Sequence, residues 1–78
     1  RGFSDADLRA HFGLTARELE VARLVADGLS NQALAERLGV SFFTARNHVE
    51  RLLTKLGAQN RAQVGAKLRA PLEQGAAA

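Results

Sequence analysis

Cysteine, methionine, tryptophan and tyrosine are all absent from this chain. Without cysteine there is no disulfide framework and no thiolate metal site to stabilise a small fold. The two histidines, His11 and His48, stand far apart and have no metal-ligand spacing. No apolar run is long enough for a transmembrane helix, so no membrane partner is expected, and no secretory signal is visible at the N-terminus. Strand signals are missing as well: there are no alternating Val/Ile/Thr runs and no Asn-Gly hairpin turn. Nor is there a nucleophile–base pair, a paired carboxylate or a phosphate-cradling glycine loop. An enzyme is therefore not expected, and neither a cofactor nor a metal is implied. The chain opens on Arg1 rather than methionine, so a piece cut from a longer protein is the expectation.

What remains is a chain of 78 residues, enough for one small domain with a marginal core. Its net charge of +3 is unevenly spread. Residues 1–39 hold five basic side chains (Arg1, Arg9, Arg17, Arg23, Arg37) and six acidic ones. Residues 40–69 hold six (Arg46, Arg51, Lys55, Arg61, Lys67, Arg69) against the single Glu50, a net of +5. A basic half on a small domain suggests a polyanion partner, most simply nucleic acid. A solvated basic face is the plainer alternative.

Helix signals are dense. Ser4 caps a short first helix ending near Gly13, with Phe3 and Leu8 spaced as a hydrophobic staple. In "LTARELEVARLVADG", Thr15 and Glu18 form a capping box, Leu14 and Leu19 a staple, and Val21, Leu24 and Val25 an apolar stripe. Gly28 supplies the left-handed residue that stops it. In "LSNQALAERLG", Ser30 caps, Leu34, Ala35 and Leu38 face inward, and Gly39 terminates. Only a few residues separate Gly39 from the next cap, Ser41. A short helix, a tight glycine turn and a longer helix from about Phe42 to Leu56 make the helix-turn-helix layout. A last helix is expected to start at Asn60, with Gln63 as its box partner, and to stop at Pro71.

Across "LTARELEVARLVADGLSNQALAERLGVSFFTARNHVERLLTKLGAQNRAQV" the sequence closely resembles the DNA-binding domain of the LuxR, or GerE-like, family. That pattern runs L-T-x-R-E-x-E-V-L, G-x-S-N-x-x-I-A, S-x-x-T-V-[KR]-x-H, then a leucine helix ending K-L-G. Leu14, Thr15, Arg17, Glu18, Glu20, Val21, Gly28, Ser30, Asn31, Ala35, Leu38, Ser41, Thr44, Arg46, His48, Val49, Lys55, Leu56 and Gly57 fall on it. The resemblance implies an all-α, four-helix domain whose third helix reads the major groove and whose fourth commonly forms a dimer. Such domains usually end a transcription regulator, behind a phosphorylation receiver, a small-molecule sensor or another regulatory module. The expected organisation is a short extra N-terminal helical segment or linker over residues 1–13, the DNA-binding domain over 14–70, and a disordered tail over 71–78. Double-stranded DNA is the implied partner, in a cytoplasmic setting, with RNA polymerase a further candidate.

Helical geometry separates two faces of the recognition helix. At 100° per residue with Ala45 as zero, Val49, Leu52 and Leu56 fall at about 40°, 340° and 20°, an apolar stripe facing the core. Opposite lie Phe43, Arg46, Asn47, Glu50 and Thr54, at about 160°, 100°, 200°, 140° and 180°. Arginine can bridge guanine O6 and N7, asparagine can pair with adenine N6 and N7, and glutamate can accept from cytosine N4. Arg46, Asn47 and Glu50 are therefore candidates for base contacts, with Phe43 able to touch a thymine methyl or a sugar, or else to bury against its own protein. Glu50 has an alternative as an exposed charge paired with neighbours such as Arg46.

Backbone contacts position a protein without carrying sequence information. Ser30, Asn31 and Gln32 open the supporting helix and Ser41 and Thr44 the recognition helix, where free N–H groups can meet phosphates. Capping alone would also account for Ser30 and Ser41. Arg51, Lys55 and Arg61 are longer-reach candidates, and His48, at the edge of the core stripe, can donate one hydrogen bond to phosphate. Gly65 costs its helix about 1 kcal/mol relative to alanine, tolerable where two helices approach closely. Val64, Lys67 and Leu68 are thus the expected contacts of a homodimer through the last helix, a slack helix end being the alternative. Alanine stands at 45 and 22 where the family usually has valine and leucine, and Phe42 is expected to restore part of that core volume. Two other readings compete: a sigma-factor-like promoter module, and a helical protein-interaction module that has lost DNA binding.

Overall fold

In the computed structural model, which describes residues 3–69, five α-helices and one 3-10 turn follow one another. They are α1 (Asp5–Phe12), α2 (Ala16–Ala26), α3 (Asn31–Leu38), α4 (Phe42–Leu56), the turn Arg61–Gln63, and α5 (Val64–Arg69). No strand occurs among the described residues. Pro71 and the tail after residue 70 lie outside them.

Each of the first four helices begins where a hydroxyl can replace a missing intrahelical acceptor. Ser4, Thr15, Ser30 and Ser41 accept from the N–H three residues on, Asp7, Glu18, Ala33 and Thr44 respectively. At Ser4 and Thr15 the box closes reciprocally, through Asp7 and Glu18. The turn between α3 and α4 is Gly39, at φ 71° and ψ 35°, whose N–H returns to the Ala35 carbonyl. A Cβ there would meet nothing within 4 Å. Glycine is needed for the left-handed backbone, not for space.

The last helix starts differently from the expectation. Asn60 makes no side-chain cap, and the Gln63 side chain accepts instead from the Gln59 N–H at 2.7 Å. The reason is local. In the 3-10 turn the Gln63 N–H already donates to the Asn60 carbonyl at 3.1 Å, so the donor a capping box would use is taken.

The core draws on every helix: Leu8, Leu14, Leu19, Val21, Ala22, Val25, Leu34, Ala35, Ala45, Val49, Leu52, Leu56, Val64 and Leu68 are buried. Leu8 is fully buried, so α1 is part of this core. The stripe on α4 is the one read from the helical wheel, and α3 and α2 pack over it.

Phe42 does not join the core. Ala22 and Ala45 are fully buried, yet Phe42 remains 53% exposed. Side chains lean toward the N-terminus of their helix. As the first residue of α4, Phe42 leans past the helix end, where no turn lies beneath it. The two alanines are buried without its help.

Candidate nucleic-acid interface

With Ala45, Val49, Leu52 and Leu56 turned inward, α4 presents Phe43, Arg46, Asn47 and Glu50 to solvent. Phe43 is 67% exposed, the largest exposure of any large apolar side chain described. Its ring centre lies 5.4 Å from the Arg46 guanidinium carbon, a cation–π contact along the helix surface. On the other side, Arg46 Nε lies 4.0 Å from Glu50 Oε2, a loose pair between exposed groups. Glu50 thus has both the neighbour and the exposure that base contact or simple pairing would need. Thr54, one turn on, donates its hydroxyl to the Glu50 carbonyl at 3.2 Å.

The residues singled out for phosphate contact separate into two groups. Ser30, Gln32, Ser41, Thr44 and Arg51 are exposed, and His48 is half-buried at the edge of the α4 stripe. Ser41 Oγ accepts from the Thr44 N–H at 3.1 Å and donates to Thr44 Oγ1 at 3.0 Å, so the two side chains open α4 as a linked pair. Asn31, Lys55 and Arg61 are instead engaged within the protein. Arg61 donates through one nitrogen to Asn31 Oδ1 at 2.7 Å and through the other to the Leu29 carbonyl at 2.6 Å. Its planar fork suits two fixed acceptors, and it holds the start of α3 against the turn before α5. Lys55 Nζ donates to Glu18 Oε1 at 2.8 Å and to the Gly13 carbonyl at 3.0 Å. Both ties support the helix-turn-helix from outside it.

Sequence patterns did not announce these two links. The partners are 30 and 37 residues apart, beyond any helical spacing. The Phe43–Arg46 contact, by contrast, follows from an i,i+3 spacing on one helix.

On α5, Val64 is fully buried and Leu68 is 8% exposed, both within this chain's own core. Lys67 is half-buried, and Ala62 and Ala66 are exposed. A Cβ on Gly65 would stand 3.7 Å from Ala26 Cβ and 3.1 Å from the Arg69 guanidinium. That glycine therefore faces α2 of its own chain. Val64 and Leu68, the expected partner contacts, are packed within the monomer's own core.

Residues 13–67 match the family model described as bacterial regulatory proteins, luxR family. The transcriptional regulatory protein DegU of Brevibacillus brevis is 40% identical over 63 residues, 80% of this chain and 27% of that protein. The transcriptional regulatory protein YxjL of Bacillus subtilis (strain 168) is 51% identical over 49 residues, 63% of this chain and 22% of that protein. The response regulator protein VraR of Staphylococcus aureus (strain NCTC 8325 / PS 47) is 42% identical over 50 residues, 64% of this chain and 24% of that protein. The chain spans about a quarter of the length of these relatives. No solved structure gives a significant match.

Proposed function

Because the chain belongs to the luxR family of bacterial regulatory proteins and is a helix-turn-helix DNA-binding domain of that type, we propose that α4 enters the major groove of double-stranded DNA and reads a specific sequence there. The observation that carries this is the division of α4 into a buried stripe and an exposed face bearing Phe43, Arg46, Asn47 and Glu50. A helix seated on its own core by one side and polar on the other can enter a groove without losing its packing.

Arg46 takes guanine and Asn47 adenine, with Glu50 as acceptor for cytosine N4. Ser30, Gln32, Ser41, Thr44, Arg51 and His48 meet phosphate and fix the register. Asn31, Lys55 and Arg61 contribute chiefly by holding α3 and α4 in place. The domain is a binding module, not an enzyme.

We also propose that two copies associate through the last helical segment, now by the exposed Ala62 of the 3-10 turn and Ala66 of α5 with the half-buried Lys67, since Val64 and Leu68 are occupied inside the monomer. Two half-sites about one helical turn apart would then be matched. The place of work is the cytoplasm, where a bacterial regulator meets its operator, and RNA polymerase bound nearby is the candidate further partner.

The test is duplex binding by the chain as a function of salt, with Arg46→Ala alongside. A steep negative slope of log affinity against log salt, and relaxed base preference in the variant, are expected. No measurable duplex affinity at low salt would instead favour a protein-interaction module, with the exposed Phe42 and Phe43 as its contact surface.

A further inference from the structure

Phe43 is an apolar ring left 67% exposed, touched by Arg46 of its own helix and placed on the face of α4 that points away from the core. The major groove offers such a ring essentially one apolar partner on an unmodified base, the C5-methyl group of thymine. Every other base edge there carries donors or acceptors that a phenyl ring would leave unpaired.

Beside it, Arg46 is not a loose charge. The Phe43 ring lies on one side, with its centre 5.4 Å from the guanidinium carbon, and the Glu50 carboxylate on the other, 4.0 Å from Nε. The ring and the carboxylate both draw the guanidinium along the α4 surface rather than outward to a phosphate. Successive bases on one strand stand about 3.4 Å apart. A ring centre and a guanidinium carbon 5.4 Å apart are separated by more than one base step, which suits two neighbouring bases rather than one.

We infer that Phe43 and Arg46 act as one unit that reads a thymine–guanine step, the ring against the thymine methyl and the guanidinium across guanine O6 and N7. This rests on α4 being the recognition helix, and it names a specificity for that helix. The two recognitions are coupled, because the ring that meets the methyl also positions the cation. Glu50 keeps Arg46 paired when no guanine is present, so a site without guanine has to break that pair before gaining a phosphate contact.

The experiment selects bound sites from a randomised duplex library. Within an enriched site it then replaces the thymine beside the guanine with deoxyuridine, which removes only the methyl. Enriched sites are expected to place thymine next to the guanine whose preference Arg46→Ala relaxes. Deoxyuridine should weaken wild-type binding about fourfold, the value of one methyl-sized apolar group. Phe43→Ala should bind thymine and deoxyuridine equally while keeping its helical circular dichroism, since the side chain is exposed. Phe43→Leu should keep the methyl preference but show weaker coupling between the two bases, because leucine offers no π face to Arg46.

Salt-dependent binding without an enriched thymine–guanine step, or equal wild-type affinity for thymine and deoxyuridine, would overturn this inference while leaving DNA recognition by α4 standing. Absence of any duplex binding would remove both.

Discussion

Lys55, in the last turn of α4, donates to Glu18 Oε1 at the start of α2 over 2.8 Å. The same oxygen accepts from the Thr15 N–H at 2.8 Å, so one carboxylate closes the α2 cap and anchors the far end of α4. The Lys55 hydrogen bond holds the Glu18 carboxyl below its ordinary value near 4.5, the Thr15 N–H adds to this, and burial opposes both.

A carboxyl whose folded pKa is lowered contributes stability that is present above its unfolded value and is lost as pH falls through the folded one. Thermal unfolding midpoints should therefore lose the Glu18 contribution as pH drops below about 4.5. Glu18→Gln should lower stability at neutral pH by about 1 kcal/mol, less than a buried charged hydrogen bond because Lys55 remains partly hydrated. Its midpoint should also fall less steeply in acid. A variant with the wild-type acid profile would refute the assignment.

Arg61 joins the turn before α5 to Asn31 and Leu29 by two hydrogen bonds from one guanidinium. Arg61→Lys keeps the charge but cannot span both acceptors. A stability loss of about 1–2 kcal/mol is expected in chemical denaturation. Duplex affinity should fall with little change in salt slope, because the charge is retained and the α3 start is what moves. Unchanged stability in Arg61→Lys, with duplex affinity still reduced, would argue against positioning.

Arg51 is exposed on α4, outside the hydrogen bonds and ion pairs that hold the described helices together. If it meets phosphate, Arg51→Ala should reduce the salt slope by about 0.9 and weaken all duplex sequences alike. Titrations at several salt concentrations, on a selected and a scrambled duplex, decide this. Loss confined to the selected duplex would make Arg51 a base reader instead.

Phe42 and Leu52 lie on the same helix with opposite consequences. Leu52 is fully buried and Phe42 is 53% exposed. Leu52→Ala should cost about 2–5 kcal/mol through lost burial and the cavity left behind. Phe42→Ala should stay within about 0.5 kcal/mol, as an exposed substitution does. Urea midpoints measure both. A large loss at Phe42 would restore it to the core.

The helices and their faces were legible because their signals act within a turn or two. A serine or threonine cap reaches the N–H three residues on, a glycine stops the helix beside it, and the α4 stripe repeats at helical spacing. Even this local grammar fails where two backbone geometries compete. Asn60 and Gln63 have the spacing of a capping box, but the 3-10 turn consumes the Gln63 N–H that the box requires. Sequence similarity carried the family.

The sequence by itself thus determined the order of helices, the caps of the first four, and which side of α4 faces outward, since each depends on neighbours a few bonds away. Tertiary packing alone decided which basic side chains are occupied. Lys55 and Arg61 look like phosphate ligands in a list of charges, yet helix packing brings each beside an acceptor 37 or 30 residues distant. It also turned Val64 and Leu68 inward, and it left Phe42 and Phe43 both outside, because neither has a neighbouring helix beneath it.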